Sequence, residues 1–250
     1  MAHSPVVLSD GKDPEMDQAF AQARATFRYF WRELSWESRR IVPGLEMSAV
    51  KFAFEDPSVQ GANVEHLWLG QIDCDGERIV ATVLNQPNWI KNVAKGQVVT
   101  VPIAHLEDWI YVQAGRAYGA FTVNLLRSRM SAADRAAHDK AWGLDFGDPK
   151  KIKLVPDWDG PDTDPDQEHP MSMNMRDKLE EAVRAHPEML TSANEHGVTM
   201  LHQLAMAGSA DGVEVLVARG ADPNARDSKG RTARDLAVMM GWPVVVATLT

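Results

Sequence analysis

His66 and Trp68 stand two places apart in Glu65-His66-Leu67-Trp68-Leu69, a run whose alternation reads as a strand. Strand side chains point to opposite faces in turn, so His66 and Trp68 share one face while Glu65, Leu67 and Leu69 share the other. Glu65 and His66 therefore cannot work as a paired acid and base, and each needs a partner from elsewhere. Asn85, Trp89, Trp109 and Tyr118 are the residues that could join His66 and Trp68 in an aromatic pocket. Such a pocket suits a peptide or a base, and core packing accounts for the same residues equally well. The plainer roles are a hydrogen-bonded structural histidine, a turn fixed by the Asn85 side chain, and backbone capping by Asp108 before Trp109.

Other chemistry finds little footing. There is no glycine-rich phosphate loop, no Gly-x-Ser-x-Gly elbow and no His-Glu-x-x-His. The eight histidines are scattered, and one cysteine cannot build a thiolate zinc cage. Cys74 lies between Asp73 and Asp75, whose charges disfavour its thiolate. The expectation is a non-enzymatic protein with no catalytic residue, metal or cofactor.

The elements that must position these residues follow from periodicity. Asp13 can cap, Pro14 suits a first helical turn, and Met16, Phe20, Ala23, Phe27, Phe30 and Leu34 recur at helical spacing. This predicts an amphipathic helix ending before Pro43-Gly44, after a loose start over residues 1–12. Arg24, Arg28 and Arg32 mark another face, read as solvated arginines rather than a nucleic-acid ridge. Strands are predicted at 49–54, 65–72, 78–84, 98–103 and 109–112, with a last one near 119–126; Asp75-Gly76 marks a hairpin. Trp89, Ile90 and Val93 read as a short apolar helix or turn on the sheet. Ser131 opens a helix to about Trp142, with His138 on its solvated face.

Glu65-His66-Leu67-Trp68, Asn85-x-Pro87, Gly96-x-x-Val99, Asp108-Trp109 and Tyr118-Gly119-x-Phe121-Thr122 together resemble the YegJ-like family of bacterial domains, over roughly residues 25–150. Members of that family have no assigned function, so the resemblance implies no chemistry.

The C-terminal part carries an internal repeat. Gly197-Val198-Thr199 recurs as Gly230-Arg231-Thr232, an offset of 33, and Leu204 and Gly208 map to Ala237 and Gly241. With Thr199-Met200-Leu201-His202 and Gly220-Ala221-Asp222-Pro223-Asn224-Ala225, residues 175–250 resemble the ankyrin repeat, departing at Met200 where that family usually has proline. The resemblance gives Thr199 and His202 a structural role, tying the helix start to the neighbouring loop. It implies protein binding through hairpin tips and the concave helix face, near Glu195, His196, Gln203, Met206, Arg226, Ser228 and Lys229. One full unit follows a single helix, expected from Met175 to about Ala185, and a partial unit comes after it. An array this short is expected to lean on the first domain or on a partner through Trp242, Val245, Val246 and Leu249.

Charge divides the chain. Of the net −9, residues 1–155 hold 18 basic and 19 acidic groups, residues 156–170 none and 6, and residues 171–250 hold 8 and 10. The middle segment, with four prolines, reads as an extended acidic linker. The fold class is α+β: an antiparallel β-rich domain with flanking helices over 13–155, the linker at 156–170 and a short all-α ankyrin array over 171–250. No run is long and apolar enough to span a membrane, no secretory signal opens the chain, and the lone cysteine fits a reducing cytoplasm. The expected partner is a protein, neither nucleic acid nor membrane, and the sequence leaves the oligomeric state open. By analogy with small cytoplasmic proteins that join an orphan domain to ankyrin units, the concrete expectation is a bacterial immunity protein. Asp157, Asp159 and Asp162 would help it hold a basic secreted toxin. The alternative is a small-ligand-binding or enzymatic domain using the aromatic pocket, with the repeats as a targeting module.

Overall fold

Asp13 Oδ1 accepts the backbone N–H of Glu15 at 3.1 Å and starts helix α1 (Pro14–Glu37), a role its side-chain oxygen serves well before an N1 proline. In a computed structural model that describes residues 13–61 and 63–250, the chain forms two units. Residues through Phe30 together with Arg40–Pro156 make the first, and Trp31–Arg39 with Asp157–Thr250 the second. The loose start predicted for residues 1–12 lies outside the described residues.

In the first unit the helical spacing buries Met16, Ala23, Phe27 and Phe30. Strands β1 (Met47–Glu55), β2 (Val64–Cys74), β3 (Arg78–Val83), β4 (Val98–Pro102), β5 (Asp108–Gln113) and β6 (Arg116–Gly119) form one antiparallel sheet ordered β4-β3-β2-β1-β5-β6. The Asp75-Gly76 turn joins β2 to β3, with Asp75 Oδ1 accepting the amides of Glu77 and Arg78. Val98–Pro102 pairs with β3 and Asp108–Gln113 with β1, so these consecutive strands are not partners but lie on opposite sides of the β3-β2-β1 group. Trp109 is fully buried, its indole N–H donating to Ala23 O at 3.0 Å and its ring 5.8 Å from that of Phe30.

The strand predicted near 119–126 is corrected. β6 ends at Gly119, and Phe121–Ser128 is helix α2, entered through Ala120 in the left-handed region at φ 56°. The apolar run read as a strand; the Asp108 carboxylate favours the helix. It accepts the N–H groups of Phe121 and Thr122, both at 2.9 Å, so a distant residue caps the helix. Ser131 caps helix α3 (Ala132–Trp142) by accepting the Asp134 amide. His138 is not solvated: its side chain is mostly buried, hydrogen-bonded to Asp139 and beside Trp142 and Phe146. Residues around Trp89 form no helix; the Glu65 and Asp56 carboxylates hold the amides of Asn88, Trp89, Lys91 and Asn92.

The second unit is helical. His169 Nδ1 accepts the Met171 amide and caps helix α4 (Pro170–Ala185), which starts five residues before Met175 because Pro170 suits its first turn. Helices α5 (Met200–Met206), α6 (Ala210–Ala218), α7 (Ala233–Met240) and α8 (Pro243–Thr248) follow, with α4 against α6, α5 against α7 and α6 against α8. Arg32, read as solvated, is buried: its guanidinium lies 5.3 Å from the ring centroids of both Trp158 and Trp242. His169 is buried too, stacked on Trp36 and meeting Trp158 edge-on. These aromatic anchors draw the ends of the acidic segment into the unit, where the sequence predicted an extended tether. The whole is mixed α+β, an antiparallel sheet followed by an ankyrin array.

Candidate functional site

Two hairpin tips in the second unit meet side by side. In the first, Asn194 Oδ1 accepts the amides of His196 and Val198 at 2.9 and 3.0 Å. At the same place 33 residues on, Asp227 Oδ1 accepts the amides of Lys229 and Arg231 at 2.9 and 2.8 Å. A short side chain accepting from amides two and four residues ahead closes each tip without a longer loop. The tips are then joined, because the Ser228 amide donates to His196 O at 2.8 Å. Gly197 allows the approach: a Cβ there would lie 3.1 Å from Ser228 N.

Behind the tips His202 is fully buried. The Thr199 amide donates to its Nδ1 at 3.2 Å, which makes Nδ1 an acceptor and leaves Nε2–H to donate to Arg231 O at 3.1 Å. One neutral imidazole thus ties the start of α5 to the next repeat's loop. Asp227 does comparable work through its ion pair with Arg231 at 2.7 Å. Burial alone would raise the Asp227 pKa, but hydrogen bonds from the Arg231 side chain and backbone outweigh it and hold the carboxyl below its ordinary range.

Glu195, His196, Arg226, Ser228 and Lys229 are all exposed on these tips, and Gln203 is exposed on α5. Met206 is not available as expected: it is 8% exposed, and its carbonyl accepts the Trp242 indole N–H at 3.1 Å. Asp157, Asp159 and Asp162 are exposed in the acidic segment.

The pocket expected in the first unit does not assemble. Trp109 and Tyr118 belong to a buried stack with Tyr111 between them, with ring centroids 6.1 and 4.7 Å apart. Asn85 accepts the Trp68 amide at 2.8 Å, so its side chain serves the backbone, and the Trp89 amide donates to Glu65. His66 and Trp68 share a face, and the set that joins them there is not expected as a group from the sequence, although Asp108 reads as a backbone cap. Lys51, opposite Trp68 in the β1–β2 register, holds its ammonium 5.6 Å from that indole and donates to Thr122 Oγ1 at 2.8 Å. Thr122 Oγ1 donates in turn to Asp108 Oδ2 at 2.5 Å. His66 Nδ1 lies 2.7 Å from Glu107 Oε2, so the carboxylate fixes that nitrogen as the donor. Asp108 is fully buried, which pushes its pKa up against the opposing pull of Lys51 and Thr122. The missed residues come from three separate elements, and only the β1–β2 register carries a local signal for any of them.

A family model described as an uncharacterized protein conserved in bacteria, DUF2314, matches residues 13–146, more than half of the chain. The chain belongs to this family. A model of ankyrin repeats in many copies matches residues 184–237. The chain is 38% identical over 250 residues to a protein of Neisseria meningitidis serogroup B that carries an ankyrin repeat name, covering 100% of this chain and 98% of that one. It is also 27% identical over 75 residues to the uncharacterized protein YegJ of Escherichia coli, covering 30% of this chain and 49% of that protein. The YegJ-like and ankyrin resemblances thus hold. Lys51, His66, Trp68, Glu107, Asp108 and Thr122 all fall in the DUF2314 match, and both hairpin tips fall in the ankyrin match. The repeats suggest protein–protein interaction, with a protein as the partner. Among the described residues no helix is long and apolar enough to cross a membrane, and no group of three or more His, Cys, Asp and Glu could hold a metal ion.

Proposed function

We propose that the chain is a non-enzymatic protein-binding protein of the bacterial cytoplasm whose partner docks on the joined ankyrin hairpin tips. The observation that carries this is the Ser228-to-His196 backbone bond, which sets the exposed side chains of two repeats in one row. Glu195 and His196 from one tip and Arg226, Ser228 and Lys229 from the next then offer both charge signs at fixed spacing, suited to a partner with a complementary polar surface. In its finer form the partner is a basic secreted toxin and the chain its immunity protein. The exposed Asp157, Asp159 and Asp162 support that form, because clustered carboxylates attract a basic protein and speed its encounter.

The test is capture from the native host with the full chain as bait, alongside a Glu195→Lys/Lys229→Glu variant. One partner retained by the wild type, lost by the variant and neutralised on co-expression is the expected result. Recovery of no toxin-like protein, with no rescue of growth, defeats the finer form; retention by the variant defeats the docking surface.

A second reading rests on the indole of Trp68 with the Lys51 ammonium against it, a surface fitted to a small anionic ring compound. A metabolite that raises the melting temperature of the wild type, and not of Trp68→Ala or His66→Ala, would favour it.

A further inference from the structure

Trp242 and Val245, expected to dock elsewhere, are buried inside the second unit; Trp242 lies against Gly208, where a Cβ would stand 2.5 Å from its indole. An open docking edge belongs instead to the first unit. Strand β4 ends the sheet, and among the described residues it pairs with β3 alone. Ala81 faces Val99 and Ile79 faces Val101, in step with the flanking bonds from Val83 N to Gln97 O and from Ile103 N to Glu77 O. Antiparallel ladders alternate, so the odd-numbered residues of β4 direct their backbone groups to β3. The even-numbered ones, Val98, Thr100 and Pro102, turn theirs away from the sheet. Pro102 has no N–H to offer there. Val98 and Thr100 keep both groups, and no atom among the described residues takes them.

Edge strands are usually blunted by charges, prolines, bulges or a covering element. Of these β4 shows only Pro102, at its end. It has no charge between Val98 and Val101 and no shift in its register with β3. Val98 is 64% exposed, and Val80, opposite Thr100 on β3, is 41% exposed.

Charge says what would fit beside it. From Arg78 to Leu106 the chain holds no Asp or Glu, although it carries 35 of them in 250 residues. Arg78, Lys91 and Lys95 are exposed in that stretch. Lys91 and Lys95 stand on the loop between β3 and β4, which the Glu65 and Asp56 carboxylates hold by four amides from Asn88 to Asn92. The Gly96 amide donates to Val83 O and seats Lys95 beside the start of β4. Glu77 lies at the strand's other end, next to Ile103. The edge is therefore basic at its Val98 end.

We infer that β4 takes an extended segment of a partner protein as a further strand of the sheet, with Asp or Glu where that segment passes Lys95. Main-chain bonds to Val98 and Thr100 hold such a strand, and the flanking charge selects it. The site is in a different unit from the hairpin tips and does not depend on the partner proposed for them.

The experiment selects short peptides from a displayed random library on the full chain and measures their binding by fluorescence anisotropy. The selected peptides are expected to alternate apolar and polar residues, to carry Asp or Glu at one end, and to slow hydrogen exchange at the Val98 and Thr100 amides. Thr100→Pro removes an N–H that the fold does not use, so the melting temperature should hold while binding weakens at least about tenfold. Lys95→Glu should weaken it about tenfold, and peptides with Lys in place of the acid should then bind this variant better than the wild type, a gain that misfolding cannot produce. Selection of no peptide, peptides without acidic preference, or undiminished binding to Thr100→Pro overturns the inference. So does loss of binding in the Glu195→Lys/Lys229→Glu variant, which would place the peptide on the hairpin tips. Self-association of the wild type that Thr100→Pro abolishes would give the edge to a second copy and overturn it as well.

Discussion

In the sheet unit the Asp108 carboxylate serves amides 13 and 14 residues away, and Glu65 serves one 23 residues away. In the array Thr199 meets His202, and Thr232 meets Asp235, three positions along. Both solutions satisfy buried or terminal backbone groups, but the first requires strands and loops to be placed before its bonds can form. The second can form within each repeat, and tertiary contact adds only the ties between neighbours, such as His202 to Arg231. One unit thus resists dissection into parts, while the other is a sum of similar parts with an interface term.

The sharpest way to break that comparison is Gly119→Ala. Gly119 lies at φ +73°, and a Cβ there would stand 2.3 Å from the Trp109 ring and 2.5 Å from its carbonyl oxygen. Trp109 is fully buried and bonded to α1, so it has nowhere to yield. The expected loss is more than about 4 kcal/mol, read by denaturant unfolding as collapse of the sheet unit's transition. A variant within about 1 kcal/mol of the wild type would show that the sheet tolerates local repair.

His202→Ala tests the repeat side. It removes the bonds to Thr199 and Arg231, and about 2 kcal/mol should go with them. Hydrogen exchange should quicken at residues 226–231 and stay unchanged in β1 and β2; spread into the sheet would mean that the two units unfold as one.

The smallest effect separates the units by pH. Asp227 has its folded pKa lowered, so its contribution is present above the ordinary aspartate value of 3.8 and lost as pH falls through the lower folded value. Asp108 has its folded pKa raised, so its contribution is present at low pH and lost as pH rises through that value. Asp227→Asn should therefore cost about 1 kcal/mol at neutral pH, and the gap should close on acidification. A gap independent of pH would assign the loss to packing instead of charge.

Several elements were legible because their signals are local. The Asp13 cap, the period of α1, the Asp75-Gly76 turn and the 33-residue repeat each lie within a few residues or recur at a fixed offset. The first-unit site was not. Its aromatic residues looked alike in sequence, yet Trp68 and His66 occupy one face with Lys51, while Trp109 and Tyr118 stack on Tyr111 in the core. Glu107 had no pattern to mark it, since its partner comes from β2, and the motif that contains Thr122 gave no sign of its bond to Lys51 on β1.

Periodicity and turn chemistry, which act between near neighbours, determined on their own that an α1 helix, a set of strands and an ankyrin array would form. Tertiary structure alone decided that residues 121–128 would be a helix, that Arg32 would be buried between Trp158 and Trp242, and that Val238 would be exposed where Ala205 is covered. The reason is reach. A carboxylate from another strand, two rings from distant segments and a neighbouring repeat act across space, and the residues they govern carry no mark of them in their own neighbourhood.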